Sequence, residues 1–510
     1  MRCAAVALAW FAIACRRDPA PPPATDRPAP ATPSRAAADP WATPASTENA
    51  RPPAERIRAR VTELEPTLAK LRSLAFRQPV TVVNQTPAEF SAHMRTEIAR
   101  DFPRPADTSA ALFHLGLLPA KIDIAEAQRA FTAQASAYYD YGQKRFTILQ
   151  SPGAPLFMDV LLVHELTHAL QDQQFGLDHL LPASGLDADH VAARRFLVEG
   201  DAMFITLWFG LSVMDGGSIA PAAPGRAALP DRECGGGSIA PAAPGRAALP
   251  DRECGGRSIP PAAPGRAALP DRECGGGSLP PAVHVIRDQL DQLVRMSASE
   301  MFKQTLFGAT VQMEPTVDTS LHALHEAPLT LVQPQFDAYF AGAQLVVAAF
   351  ERGGWEAVEA LYAHPPESTE QALHPATKLF SHPDPPVVLP IAVPADETVI
   401  DDRVFGELQW RVYFLLWAPN DNIVASQGWG GDHAVVTRLA NGKLRARIAT
   451  AWDSRSDADE FRRAYLASLV KRFPAGRGAA DAAGGFDRGD GGGRIAVVQD
   501  GVRVTITDGP

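Results

Sequence analysis

"LLVHELTHALQDQ", Leu161 to Gln173, sets His164 and His168 four residues apart with Glu165 between them, in a run that otherwise has the character of a buried helix. Residues i and i+4 of an α-helix share a face, so both imidazoles can reach one metal ion from the same side. Glu165 stands beside them, placed to reach a water on that ion instead of the ion itself. Zinc lowers the pKa of such a water to about 7, and a carboxylate can then take its proton. Leu162, Val163, Leu166, Ala169 and Leu170 give the helix a well-populated apolar side, a context that chance placement of two histidines would not supply.

Catalytic zinc normally takes three protein ligands and keeps one position open, so a third ligand is needed. The metzincin pattern would put a glycine and a further histidine where this chain has Gln171 and Gln174, which excludes that branch. A better candidate is Glu199 in "VAARRFLVEGDAMFITLWFGLSVM", Val191 to Met214, where a carboxylate interrupts a strongly apolar helix. Such a group is costly unless it is paired or binds metal. The competing reading is an ion pair with Arg194 or Arg195. Asp172 and Asp201 are candidates to orient an imidazole through its other nitrogen, and equally to be solvated helix residues.

Outward from this centre, the 510-residue chain divides by composition. "MRCAAVALAWFAIAC" reads as a signal peptide over 1–15, and Cys15 after Ile13-Ala14 resembles a bacterial lipoprotein cleavage site. Cys15 would then carry the lipid and hold the protein to a membrane of the cell envelope. Residues 16–54, rich in proline and alanine, lack the periodicity of a core and read as a solvated tether. "DGGSIAPAAPGRAALPDREC" begins at Asp215 and recurs almost unchanged from Gly235 and Gly255, ending in Cys234, Cys254 and Cys274. Near-identical copies rich in proline and glycine point to a duplicated, disordered insertion over 215–278. Single cysteines at that spacing lack the paired arrangement of a zinc ribbon.

"QPVTVVNQ" reads as a strand ahead of a helix capped by Thr86, and "YYDYGQKRFTIL" as two short strands turning at Gly142. The expected fold class is α+β: a mainly helical domain over 55–390 with a small antiparallel β-element, then an α+β region over 391–475. A Gly-rich segment and terminal hairpin fill 476–510. Hairpins turn at Asn441-Gly442 and Asp500-Gly501, with a helix between them capped by Ser456. "GWGGD" (428–432) is explained by a glycine-rich turn with a packed Trp429, and the acids of "DSRSDADE" by a charged helix start. The net charge of -10, with no basic stripe interleaved with aromatics, argues against nucleic acid as a partner.

"HELTH" followed by a helix carrying "EGDA" resembles the gluzincin branch of zinc metallopeptidases. The resemblance implies a zincin-like fold in which His164, His168 and Glu199 hold one zinc ion and Glu165 is the general base. It implies also an edge strand within Tyr138 to Leu149 and a peptide or protein substrate. Together with "PPESTEQALHP", "GWGGD" and "WDSRSDADEF", the chain resembles a family of uncharacterised, exported or lipid-anchored predicted metallopeptidases. By the same resemblance His374 is a candidate oxyanion donor, with Tyr339 and Tyr139 as rivals. The other class considered is an envelope-anchored binding or scaffolding protein that keeps a non-catalytic zinc site.

Overall fold

The computed structural model describes residues 53–132, 137–149, 155–182, 184–214, 279–296, 327–476 and 485–510. The signal peptide with Cys15, nearly all of the tether, and the repeat block with Cys234, Cys254 and Cys274 lie outside the described residues. Within them the protein is a mixed α+β structure built around two hydrophobic cores.

The first core is helical. Helix α1 (Pro53–Arg72) buries Ile57, Val61, Leu64, Leu68 and Leu71, the one-sided spacing of a helix lying on a core. Helix α2 (Pro87–Asp101) begins at Thr86, whose hydroxyl accepts from Glu89 N while the Glu89 carboxylate accepts from Thr86 N, a reciprocal cap. After α3 (Pro105–Leu115) and α4 (Ile124–Thr132) come α5 (Pro155–Phe175), the short α6 (Leu177–Leu180) and α7 (Ala188–Met214). Helices α8 (Pro281–Leu293) and α9 (Leu329–Ala363) complete this half. Helix α7 is apolar and long enough to cross a membrane, yet most of its surface is covered by its neighbours, as for a core helix of a folded domain.

Against these helices lies a three-stranded sheet in the order β1 (Val82–Asn84), β3 (Arg145–Ile148), β2 (Ala137–Asp140). Strands β2 and β3 form the expected antiparallel pair, and β1 joins β3 in parallel, so the element is mixed instead of purely antiparallel. This leaves β2 on an edge.

The second core belongs to a six-stranded antiparallel sheet ordered β4-β5-β6-β9-β8-β7. Its strands are β4 (Thr398–Arg403), β5 (Trp429–Arg438), β6 (Leu444–Trp452), β7 (Gly485–Asp487), β8 (Arg494–Asp500) and β9 (Arg503–Gly509). Along β9 burial alternates, with Val504, Ile506 and Asp508 inward, the pattern of a sheet covered on one face. Helices α11 (Gly406–Trp417) and α12 (Arg455–Arg472) supply that cover through Trp410, Phe414, Phe461 and Leu469, after a short α10 (Thr369–Leu373).

Three sequence expectations are corrected here. The terminal hairpin is part of the same sheet, because β9 pairs with β6. Leu112 and Leu115 of α3, expected within the helical domain, pack into the sheet's core. Helix α12 is capped by Ser454, not Ser456, because the Ser454 hydroxyl accepts from Asp457 N while Asp457 accepts from Ser454 N.

Candidate metal centre

Helices α5 and α7 bring the three candidate ligands together. His164 Nε2 and His168 Nε2 each lie 3.3 Å from Glu199 Oε2. The rings meet edge to face with centroids 4.8 Å apart, as two imidazoles turned toward one point would. Both histidines are buried, and Glu199 is the member with some exposure. Arg194 instead donates to Leu180 O at 3.0 Å, so Glu199 is not its ion-pair partner.

The other ring nitrogens reveal the tautomers. His168 Nδ1 is 2.9 Å from Gln171 Oε1, and the Gln171 amide nitrogen donates to Val198 O at 3.0 Å. With its NH2 committed to that carbonyl, Gln171 offers an acceptor to the ring, so His168 Nδ1 carries the proton. Thr206 donates its hydroxyl proton to Ala202 O at 2.7 Å, which leaves its oxygen to accept from His164 Nδ1 at 3.5 Å. Both Nε2 atoms therefore present lone pairs to the Glu199 carboxylate. Three acceptors around one centre make a set that could hold a metal ion.

Asp172 and Asp201, candidates either to orient an imidazole or to be solvated helix residues, are both buried and bonded elsewhere. Asp201 is two residues beyond Glu199, roughly 200° round the helix, and so faces the opposite side. There it accepts from Arg72 Nε at 3.0 Å and from the Tyr362 hydroxyl at 2.7 Å, with Arg72 fully buried over the Trp355 ring. This ion pair, with the Tyr362 contact, ties α7 to α1 and α9 next to Glu199. Asp172 accepts from the Tyr139 hydroxyl at 2.8 Å, from Lys144 Nζ at 2.7 Å and from Leu177 N at 3.0 Å. Gln171 and Thr206 hold the rings in their place. Gln171 is three residues after His168 on the same helix, a spacing that could have suggested it; Thr206 carries no signal in the sequence.

Glu165 Oε2 accepts from Tyr139 N at 2.7 Å, which ties the carboxylate to the open edge of β2. Gly200 and Gly342 explain how α9 comes so close. A Cβ on Gly200 would lie 2.1 Å from Gly342 C, and one on Gly342 would lie 2.3 Å from Phe196 O, so the backbones of α7 and α9 touch there. One turn before Gly342, Tyr339 meets His164 edge-on with centroids 5.7 Å apart. His374 does not join the cluster through its imidazole: its Nε2 lies 2.9 Å from the buried Glu407 carboxylate. The Tyr139 hydroxyl is committed to Asp172.

A second group of possible ligands, Glu370, Asp384 and Asp453, lies where the helical half meets the sheet. Its centre is taken by Lys378, whose ammonium is 3.1 Å from Glu370 and 2.7 Å from Asp384 and also pairs with Asp453.

A family model described as a domain of unknown function (DUF8575) matches residues 397–510, the segment that forms the six-stranded sheet and its helices. No curated protein and no solved structure matches the chain.

Proposed function

We propose that the chain is a zinc-dependent metallopeptidase of zincin-like fold, exported and lipid-anchored to a bacterial envelope through Cys15, that hydrolyses peptide bonds in a peptide or protein substrate. The observation that carries this reading is the convergence of two Nε2 lone pairs and the Glu199 carboxylate, with both Nδ1 protons already donated elsewhere. Buried acceptors facing one another need a cation, and two imidazoles with one carboxylate are a donor set suited to catalytic zinc.

Zinc held there supplies Lewis acidity, polarising a carbonyl and making water acidic near neutral pH. Glu165 takes the proton of the attacking water and returns it to the leaving amine. The Tyr139 N–H keeps one oxygen of that carboxylate fixed, so its orientation is set before substrate arrives. Substrate lies along the open edge of β2, as an extended peptide adds to a sheet edge. The ring contact with His164 favours Tyr339 over His374 as the group that steadies the oxyanion.

Purified protein exposed to zinc should carry one zinc per chain by elemental analysis. A chelator should remove metal and peptide cleavage together, and added zinc should restore both. Glu165→Gln should keep the zinc and lose about 10²- to 10⁴-fold in rate. Cleavage that survives in this variant, or a chain that takes up no zinc, would sink the reading.

A further inference from the structure

Beside the open edge of β2 is a cavity of about 350 Å³. Tyr138 and Asp140 face it from β2, Phe90 and Met94 from α2, and Arg195 from α7. Tyr139, between the first two, has its side chain on Asp172 and its N–H on Glu165, as the alternation of a strand requires. The cavity and the metal centre are therefore served by the same strand. They are also served by the same helix face, since Arg195 and Glu199 are four residues apart on α7, about 6 Å along its axis.

Arg195 is half-buried and, among the described residues, makes no ion pair or hydrogen bond. Of the acids there, Glu97 and Asp101 are paired, and Asp140 is held by a hydrogen bond through one oxygen only. Glu97 and Asp101 lie 2.6 and 3.8 Å from Arg100, while Asp140 accepts from Gln143 N at 3.0 Å and sits 4.0 Å from His93. A guanidinium withdrawn from bulk water is best compensated by a carboxylate, which it can grip through two parallel hydrogen bonds.

We propose that this cavity is a substrate subsite that recognises a carboxylate, with Arg195 as its anion-binding group. The proposal rests on the peptidase reading above and names the class of substrate. An extended peptide advances about 3.3 Å per residue, so the recognised group lies roughly one to three residues from the cleaved bond. The carboxylate is either an Asp or Glu side chain or the peptide's own C-terminus.

The test uses zinc-loaded full-length protein and one mixed-sequence peptide library made in four forms. Two forms contrast Asp and Glu with Asn and Gln, both with amidated ends; two contain neutral residues only and contrast a free C-terminal acid with its amide. Cleavage is read by mass spectrometry, and binding by fluorescence anisotropy with the Glu165→Gln protein. One acid-bearing form should be preferred by about 10- to 100-fold, as expected of a partly desolvated charge-assisted contact. Whichever pair shows the preference identifies the source of the carboxylate. Arg195→Ala should bring the ratio to about one, and Arg195→Lys should keep part of it. Because the readout is a ratio within one protein, a partly unfolded preparation does not mimic this result. Equal cutting and equal binding of acid and neutral forms would overturn the subsite and leave the peptidase standing. Arg195-dependent binding of acidic peptides without cleavage by the wild-type chain would overturn the peptidase and leave the anion site.

Discussion

Among the described residues the protein gathers two groups of three potential metal ligands, the first buried and the second partly exposed, and they have opposite internal logic. In the helical half, His164, His168 and Glu199 converge with only acceptor atoms facing inward. At the boundary with the sheet, Glu370, Asp384 and Asp453 converge on an ammonium supplied by Lys378. Proximity of ligand atoms is common to both. What differs is whether the fold brings its own cation: Lys378 neutralises the second group, and the first could hold a metal ion. Glu370 shows the strain of the second arrangement: burial pushes its carboxyl up to about 8, against the attraction of Lys378.

Lys378→Met is the most severe way to break this contrast. It would leave Glu370, almost fully buried, facing two further acids without compensation. Breaking a fully buried ion pair costs about 3–5 kcal/mol, and since Lys378 keeps some exposure we expect about 2–3 kcal/mol in denaturant unfolding. Zinc content should stay at one per chain. A variant that gains a second zinc would mean that Lys378 had been masking a metal site, and the two clusters would then be alike.

Gln171→Leu sharpens the other side. This side chain accepts from His168 Nδ1 and donates to the carbonyl of Val198, next to Glu199, so it positions two of the three candidate ligands at once. Removing such a partner weakens metal affinity by about 10- to 100-fold, measurable by competition with a calibrated chelator. Unchanged affinity would show that helix packing alone, through the Gly200–Gly342 contact and the Arg72–Asp201 pair, is enough to set the geometry.

These residues also show where the sequence is informative. His164, Glu165 and His168 are legible because one helical turn links them, and Glu199 because a carboxylate in an apolar run calls for an explanation. The hairpins at Asn441-Gly442 and Asp500-Gly501 are equally local. What escapes are partnerships across long separations. The union of the terminal hairpin with β6 depends on pairing that no turn announces. Arg72 at the end of an amphipathic helix has the look of a solvated cation, and only the tertiary fold places it on Asp201. His374 has no partner that its own loop announces, and Glu407, 33 residues on, pairs with it. Asp201 is near Glu199 in sequence, but two residues along a helix reverse the direction a side chain faces.

The mildest test concerns the same boundary and turns on a proton. Asp189, at the start of α7, accepts from the Thr369 hydroxyl at 2.5 Å and from Thr369 N at 3.1 Å, and it presses so closely on Gly406 that a Cβ there would come within 1.7 Å of it. Burial pushes its carboxyl up to about 8; the Thr369 hydroxyl opposes this, and the nearby Asp432 charge adds to it. A carboxyl whose folded value lies above its unfolded value of about 3.9 holds its proton more tightly when folded. Its contribution to stability is fully present below about pH 4 and is lost as pH rises through about 8. Asn at this position keeps a carbonyl acceptor and cannot titrate. Between pH 6 and 7, wild type should therefore lose up to about 1.4 kcal/mol relative to Asp189→Asn, one proton's worth per pH unit. Unfolding curves for the two proteins that stay parallel across this range would mean that Asp189 is ionised in the fold. The junction would then hold a buried charge without an ammonium of its own, and the contrast with the Lys378 cluster beside it would have to be redrawn.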